Sequence, residues 1–222
     1  MAKTILGPNG GWQGKFGMSV GFTWRGLFIQ RAYKSIVANP DTDAQRLQRA
    51  KFALIGKLSG HVTKILKMTY RSHAVEKKST PQGMFIEQNF SKVTGSTPQS
   101  VAIAWEDLIL TPEQSELTAV APGEANFDTP LSVEVTIDDG YSDPDWNSAN
   151  DKVYLVVYSK TNDMAILSDG SAKRTDDKVT VTVPGFCQGD FVEAYVYVMA
   201  DPASVRAGEF SRTIYCGSGR IA

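Results

Sequence analysis

The hydrophobic period of this chain changes once, and that change limits the fold more than any other feature. Between residues 42 and 71, Leu47, Ala50, Leu54, Leu58, Val62, Ile65 and Thr69 recur at i, i+3, i+4 spacing, the repeat of a helix that buries one stripe. Thr42 with Gln45 three residues on has capping-box spacing at its start. A second helix is predicted from Pro81 or Gln82 to Lys92, anchored by Met84, Phe85 and Phe90. From Ser96 the period becomes two, as in Val179, Val181, Val183 and in Val192, Ala194, Val196, Val198. Seven strands are predicted, over 101–105, 131–137, 153–158, 164–167, 179–183, 191–199 and 210–216, with Asp-Asp-Gly, Ser-Asp-Gly-Ser and Pro-Gly between them. The fold class is therefore α+β: a glycine-rich N-terminal β arm and a helix layer, followed by an antiparallel immunoglobulin- or fibronectin-III-like β-sandwich. Three segments are expected: an arm or hairpin over 1–38, a basic helical segment over 39–95, and the sandwich over 96–222.

The arm holds seven of the chain's 19 glycines within its first 26 residues, interleaved with Trp12, Phe16, Met18, Val20, Phe22 and Trp24. The apolar residues from Phe16 to Trp24 fall at every second position, the strand period, and the small residues between them allow another backbone to approach closely. So short a segment cannot bury that surface by itself, which predicts an adhesive strand lying on its own body or on a neighbour.

Charge divides the chain as sharply as periodicity does. Residues 1–78 carry 14 Lys and Arg against 3 Asp and Glu, whereas residues 79–222 carry 9 against 21, so a net charge of −1 conceals +11 and −12. On a helical wheel Arg46, Arg49, Lys57, Lys64, Lys67 and Arg71 occupy an arc of roughly 80° away from the apolar stripe. Such an edge suits an acidic partner, either the chain's own sandwich or that of another copy. Trp12, Phe16, Phe22 and Trp24 together with these six cations are the expected interface residues.

Catalytic patterns fail on inspection. Gly14-Lys15 resembles the end of a phosphate loop, but Asn9 holds the first glycine position and Phe16 the Ser/Thr position. His61 and His73 have no cysteine between them, no Gly-x-Ser-x-Gly elbow occurs, and Cys187 and Cys216 read as free thiols. Asp138, Asp139, Asp143, Asp145, Asn147 and Asp151 form the most acidic loop, in which Asp143-x-Asp145-x-Asn147 starts like a calcium loop. Ser148 replaces its glycine and Tyr154 its bidentate glutamate, so an exposed docking loop is expected there rather than a metal site. No cofactor or metal is implied, and no enzyme activity is expected. No window approaches eighteen apolar residues, and the N-terminus lacks a long apolar region and a small-x-small cleavage site, so neither a membrane span nor Sec export is expected.

The stretch Gly-Lys-Phe-Gly-Met-Ser-Val-Gly-Phe-Thr-Trp-Arg-Gly from Gly14, the helix Asp-Ala-Gln-Arg-Leu-Gln-Arg-Ala-Lys-Phe-Ala-Leu from Asp43, and Arg-Ala-Gly-Glu-Phe-Ser-Arg-Thr-Ile-Tyr-Cys-Gly from Arg206 resemble a family of small proteins found in bacteroidete genomes and their phages. No activity or catalytic residue transfers from that resemblance. It implies a non-enzymatic virion component of capsid, neck or tail, made in the host cytoplasm, with itself and other virion proteins as partners. The first expectation is thus a homo-oligomeric structural protein joined through its N-terminal arm. A monomeric immunoglobulin-like module binding a glycan, protein or metal is the alternative. Nucleic-acid binding through the basic third comes last, because strict alternation already accounts for the aromatic residues and the acidic remainder repels DNA.

Overall fold

The computed structural model describes residues 2–4, 13–36, 40–113, 117–138 and 148–222. They divide into two compact units, Met1–Thr42 and Asp43–Ala222.

The first unit is a four-stranded antiparallel sheet. Its strands are β1 (Ala2–Thr4), β2 (Gly14–Phe16), β3 (Ser19–Trp24) and β4 (Leu27–Ala32), in the order β1-β4-β3-β2. The alternating stretch is therefore not one strand, because the chain turns at Gly17 and Met18 between β2 and β3. Gly17 supplies the positive φ of +54° that this turn needs. Arg25 and Gly26, both at positive φ, close the β3–β4 hairpin, the backbone of a tight two-residue connection.

The second unit opens with helices α1 (Asp43–His61), α2 (Thr63–Thr69), α3 (Arg71–Glu76) and α4 (Pro81–Asn89). The helix expected over 42–71 thus runs on to Glu76 in three pieces. The i→i−4 bonds carry through both joints, from Leu66 N to Val62 O (3.0 Å) and from Ala74 N to Tyr70 O (2.8 Å). Side-chain hydroxyls at the joints distort the helix. Thr63 Oγ1 donates back to the carbonyls of Ser59 and Gly60, and Thr69 Oγ1 is shared between Ile65 O and Leu110 O. At the start of α4, Thr80 Oγ1 accepts from Gly83 N at 2.9 Å and Pro81 takes the first helical position.

The β part begins with a small hairpin, β5 (Val93–Thr94) against β6 (Ala102–Ile103), and continues with β7 (Ala121–Asn126), β8 (Ser132–Asp138), β9 (Lys152–Ser159), β10 (Met164–Leu167), β11 (Lys178–Thr182), β12 (Phe191–Met199) and β13 (Ile214–Arg220). Two sheets result, β10-β9-β12-β13 and β11-β8-β7, with every pairing antiparallel. Two predicted strands shift. The run 101–105 joins the β5–β6 hairpin and then coils into a short 3₁₀ turn at Trp105–Asp107. The last strand starts at Ile214 rather than at 210, with Phe210 making only an isolated bridge to Met199. A strand outside every predicted run, β7, completes the three-stranded sheet. Pro122 is tolerated there because β7 is an edge, and the register shifts between Pro122 and Ala125.

Two cores make this unit three layers deep. Val133, Val135 and Ile137 of β8 and Val179 and Val181 of β11 meet Val153, Leu155, Val157, Val192, Ala194, Val196 and Val198 from the four-stranded sheet. The other face of that sheet carries Tyr154, Val156, Tyr158, Tyr195 and Tyr197, which pack against Ile55, Leu58, Ile65, Leu66 and Phe85 of the helices. β9 and β12 are consequently buried on both faces, whereas β8 and β11 alternate between core and solvent.

Candidate interface

Register sorts the residues of the N-terminal sheet onto faces. β3 sets Val20 opposite Arg31, Phe22 opposite Ile29 and Trp24 opposite Leu27 on β4, while β2 sets Lys15 opposite Val20 and Phe16 opposite Ser19. Opposed residues share a face, so Lys15, Val20, Phe22, Trp24 and Arg31 stand together and Phe16 stands on the other side. The expected single aromatic stripe therefore splits in two, because the turn at Gly17 and Met18 reverses the chain. On the first face each cation lies near a ring. Lys15 Nζ is 3.8 Å from the Tyr33 centroid, the Arg25 guanidinium 5.4 Å from Trp24, and the Arg31 guanidinium 5.9 Å from Phe22, all within cation–π range. Three apolar side chains of this unit are open to solvent, with Phe16 73%, Met18 75% and Ile36 87% exposed. Trp12 lies outside the described residues.

The six cations of the helical segment lie on the outer side of α1–α3 and meet different fates. Arg46 pairs with Asp43 at 3.2 Å, one turn away. Arg49 is exposed on α1. Lys57 reaches the β9–β10 turn, where its Nζ is 2.5 Å from Asp163 Oδ2. Tyr158 Oη donates to Asp163 Oδ1 at 3.1 Å, and His61 Nδ1 hydrogen-bonds the Asp163 carbonyl. These contacts tie the helix layer to the sheet. The Lys57 hydrogen bond, with that from Tyr158, holds the Asp163 carboxyl below its ordinary range. Burial, then the bond to Asp163, pushes the Tyr158 phenol up. Lys64, Lys67 and Arg71 are exposed and have no carboxylate at ion-pair distance among the described residues.

Polar groups outside the predicted interface set occupy the body. Glu193 is buried near the start of β12. It accepts from Tyr215 Oη at 2.7 Å and pairs with Lys160. The Lys160 ammonium sits 5.0 Å from the Trp105 ring centroid and 4.8 Å from that of Phe191. Asp151 and Arg174 form a fully buried pair at 3.3 Å. Asp151 also accepts from the backbone N–H groups of Ser148 and Asp201, and Arg174 Nη2 donates to Thr118 O at 2.6 Å. The last residue of the predicted acidic loop is thus an internal strut, while positions 139–147 lie outside the described residues. Each of these residues looked like ordinary surface charge in the sequence, and only strand pairing brings their partners to them.

Cys187 and Cys216 are free and buried. Burial, followed by the charge of Asp190, raises the Cys187 thiol, and burial pushes Cys216 up to about 12. Neither resembles an activated nucleophile. No three His, Cys, Asp or Glu side chains among the described residues are placed to hold a metal ion, and none of the described helices is long and apolar enough to cross a membrane.

Residues 11–215, which take in β2–β4 of the first unit and the second unit as far as the start of β13, match a protein family described as a family of unknown function, DUF6266. The chain belongs to that family. A search of curated proteins finds no match.

Proposed function

We propose that this protein is a non-enzymatic assembly protein whose N-terminal sheet docks on the body of a second copy. The observation that carries the reading is the crowding of exposed apolar side chains into one short unit. Phe16, Met18 and Ile36 lie within a stretch of 21 residues, on a sheet whose outer strands β1 and β2 each have one open edge. A monomeric soluble protein has little reason to present such a cluster. Charge favours a second copy as the occupant, since residues 1–42 hold five Lys and Arg against one Asp, a net +4, and residues 43–222 balance it with −5. We further infer that β7–β13 form an immunoglobulin- or fibronectin-III-like sandwich. The orders β10-β9-β12-β13 and β11-β8-β7 support this, as two antiparallel sheets of four and three strands sharing a valine-rich core. The setting proposed for the assembly is a phage particle, in its capsid, neck or tail, which rests on the resemblance of the three sequence stretches above.

Light scattering on the full chain at about 50 mM and about 500 mM salt tests the docking. A discrete oligomer, loosened at high salt as the Debye length shrinks, is expected. The triple change Phe16→Ser, Met18→Ser, Ile36→Ser is expected to give the 24.2 kDa monomer at both salts. A wild-type monomer at both salts, or an oligomer untouched by the triple change, overturns it.

A further inference from the structure

We propose that the other face of the N-terminal sheet, carrying Lys15, Phe22, Trp24, Arg25, Arg31 and Tyr33, binds single-stranded nucleic acid. Three aromatic rings and three cations gather there around Val20, Leu27 and the buried Ile29, in a patch only three strands wide, with each cation between 3.8 and 5.9 Å from a ring centroid. Lys15, Arg25 and Arg31 are exposed, Trp24 is 40% and Tyr33 37% exposed, and Phe22 is half-buried between them. Phe22 and Trp24, two residues apart on β3, stand about 6.8 Å from each other along the strand, so each can take a separate base.

The pattern selects the ligand. Backbone phosphates satisfy the guanidinium and ammonium groups, while bases supply the flat π-faces that rings and guanidinium planes stack on. An acidic peptide would meet the cations and leave the rings in water. A duplex hides its base faces within its own stack, so the rings favour a single strand. Five of the six basic or acidic side chains in residues 1–42 are cations, and residues 79–222, at −12, repel an anionic strand. Of the residues in the assembly surface proposed above, Phe16 stands on the opposite face, so Phe16→Ser alone should weaken assembly and leave strand binding intact.

Fluorescence anisotropy with the full chain and a labelled oligothymidine of about twenty nucleotides tests the assignment, with the same length of oligouridine and a polyglutamate of similar charge as comparators. Binding to both oligonucleotides is expected, with log K falling against log salt at a slope of about −0.7 per neutralised phosphate. Lys15→Gln with Arg31→Gln should reduce that slope by about 1.4. Trp24→Ala should weaken binding about tenfold without changing the slope, and Trp24→Phe should restore most of it. Far-UV circular dichroism confirms that each variant is folded, and the glutamine pair, confined to exposed side chains, covers the case in which Trp24→Ala is not. Absence of binding at about 50 mM salt overturns the proposal. So does polyglutamate binding as tightly as the oligonucleotides, which would make the partner an acidic protein surface. Binding that survives the sheet variants and disappears in Lys64→Gln, Lys67→Gln, Arg71→Gln overturns it too, by moving the site to the helices.

Discussion

The N-terminal sheet and the four-stranded sheet of the body are both aromatic-rich, yet they treat their rings in opposite ways. In the body Tyr154, Tyr158, Tyr195 and Tyr197 lie under the helix layer. Tyr154 and Tyr197 stack at 5.5 Å, Trp105 and Tyr158 at 5.2 Å, and Tyr195 Oη donates to Trp105 O at 2.8 Å. In the N-terminal sheet Phe16, Trp24 and Tyr33 remain exposed and cations gather at the rings of the first face. A strand rich in aromatic residues becomes core only when a second layer covers it. Where no such layer covers them among the described residues, the rings stay at the surface.

If the body is sealed, disturbing its buried charge is costly. Asp151→Ala leaves Arg174 without its counter-ion at zero exposure, and a loss of roughly 3–5 kcal/mol is expected by urea denaturation. Combining it with Arg174→Met should recover most of that. A single-mutant loss under about 1 kcal/mol would mean that water reaches this end of the sandwich, and the contrast would weaken.

Deleting volume separates the regions next. Leu155→Ala, fully buried on β9, should cost about 2–5 kcal/mol, whereas Phe16→Ala should stay within about 0.5 kcal/mol while affecting self-association. Equal losses at the two positions would show that the N-terminal sheet is also core.

Acid should probe the seam between β9 and β12. Asp190 Oδ2 accepts from the Ser159 hydroxyl at 2.6 Å and from Asn162 Nδ2 at 2.5 Å, and these bonds hold the carboxyl below its ordinary range. The unfolded chain then takes up this proton at higher pH than the folded one. The stabilisation is complete above the ordinary carboxylate range and is lost as pH falls through the folded value. Thermal melts from pH 6 to pH 3 should show the decline, and Asp190→Asn should flatten it; an unchanged profile would remove Asp190 from the account.

The smallest effect is kinetic. Cys187 and Cys216 should resist a thiol reagent at pH 8 in the native protein and react only with denaturant, because burial raises both thiols. Rapid native labelling would show a body that opens readily.

Much of the architecture was legible because period reports burial. The strand runs near 132–138, 152–159, 164–167, 178–182 and 191–199 were readable from β-branched alternation, and α4 from Pro81 and its anchors. β7 was not, since Pro122 and Gly123 belong to an edge where pairing tolerates them. The split face of the N-terminal sheet was hidden as well, because Phe16 keeps the period of two through a turn that reverses the strand.

The sequence alone determined the α+β class, the helical stripe, the valine alternation and the concentration of positive charge toward the N-terminus. These follow from local periodicity and composition, which any fold of this chain must respect. Tertiary structure decided which charges are surface and which are struts. Lys57, Lys64 and Lys67 look alike in the sequence, yet only Lys57 meets Asp163, and Glu193 differs from an ordinary strand glutamate because Lys160 and Tyr215 close on it. Such partners lie far apart along the chain and are chosen by sheet order and register, which no local pattern encodes.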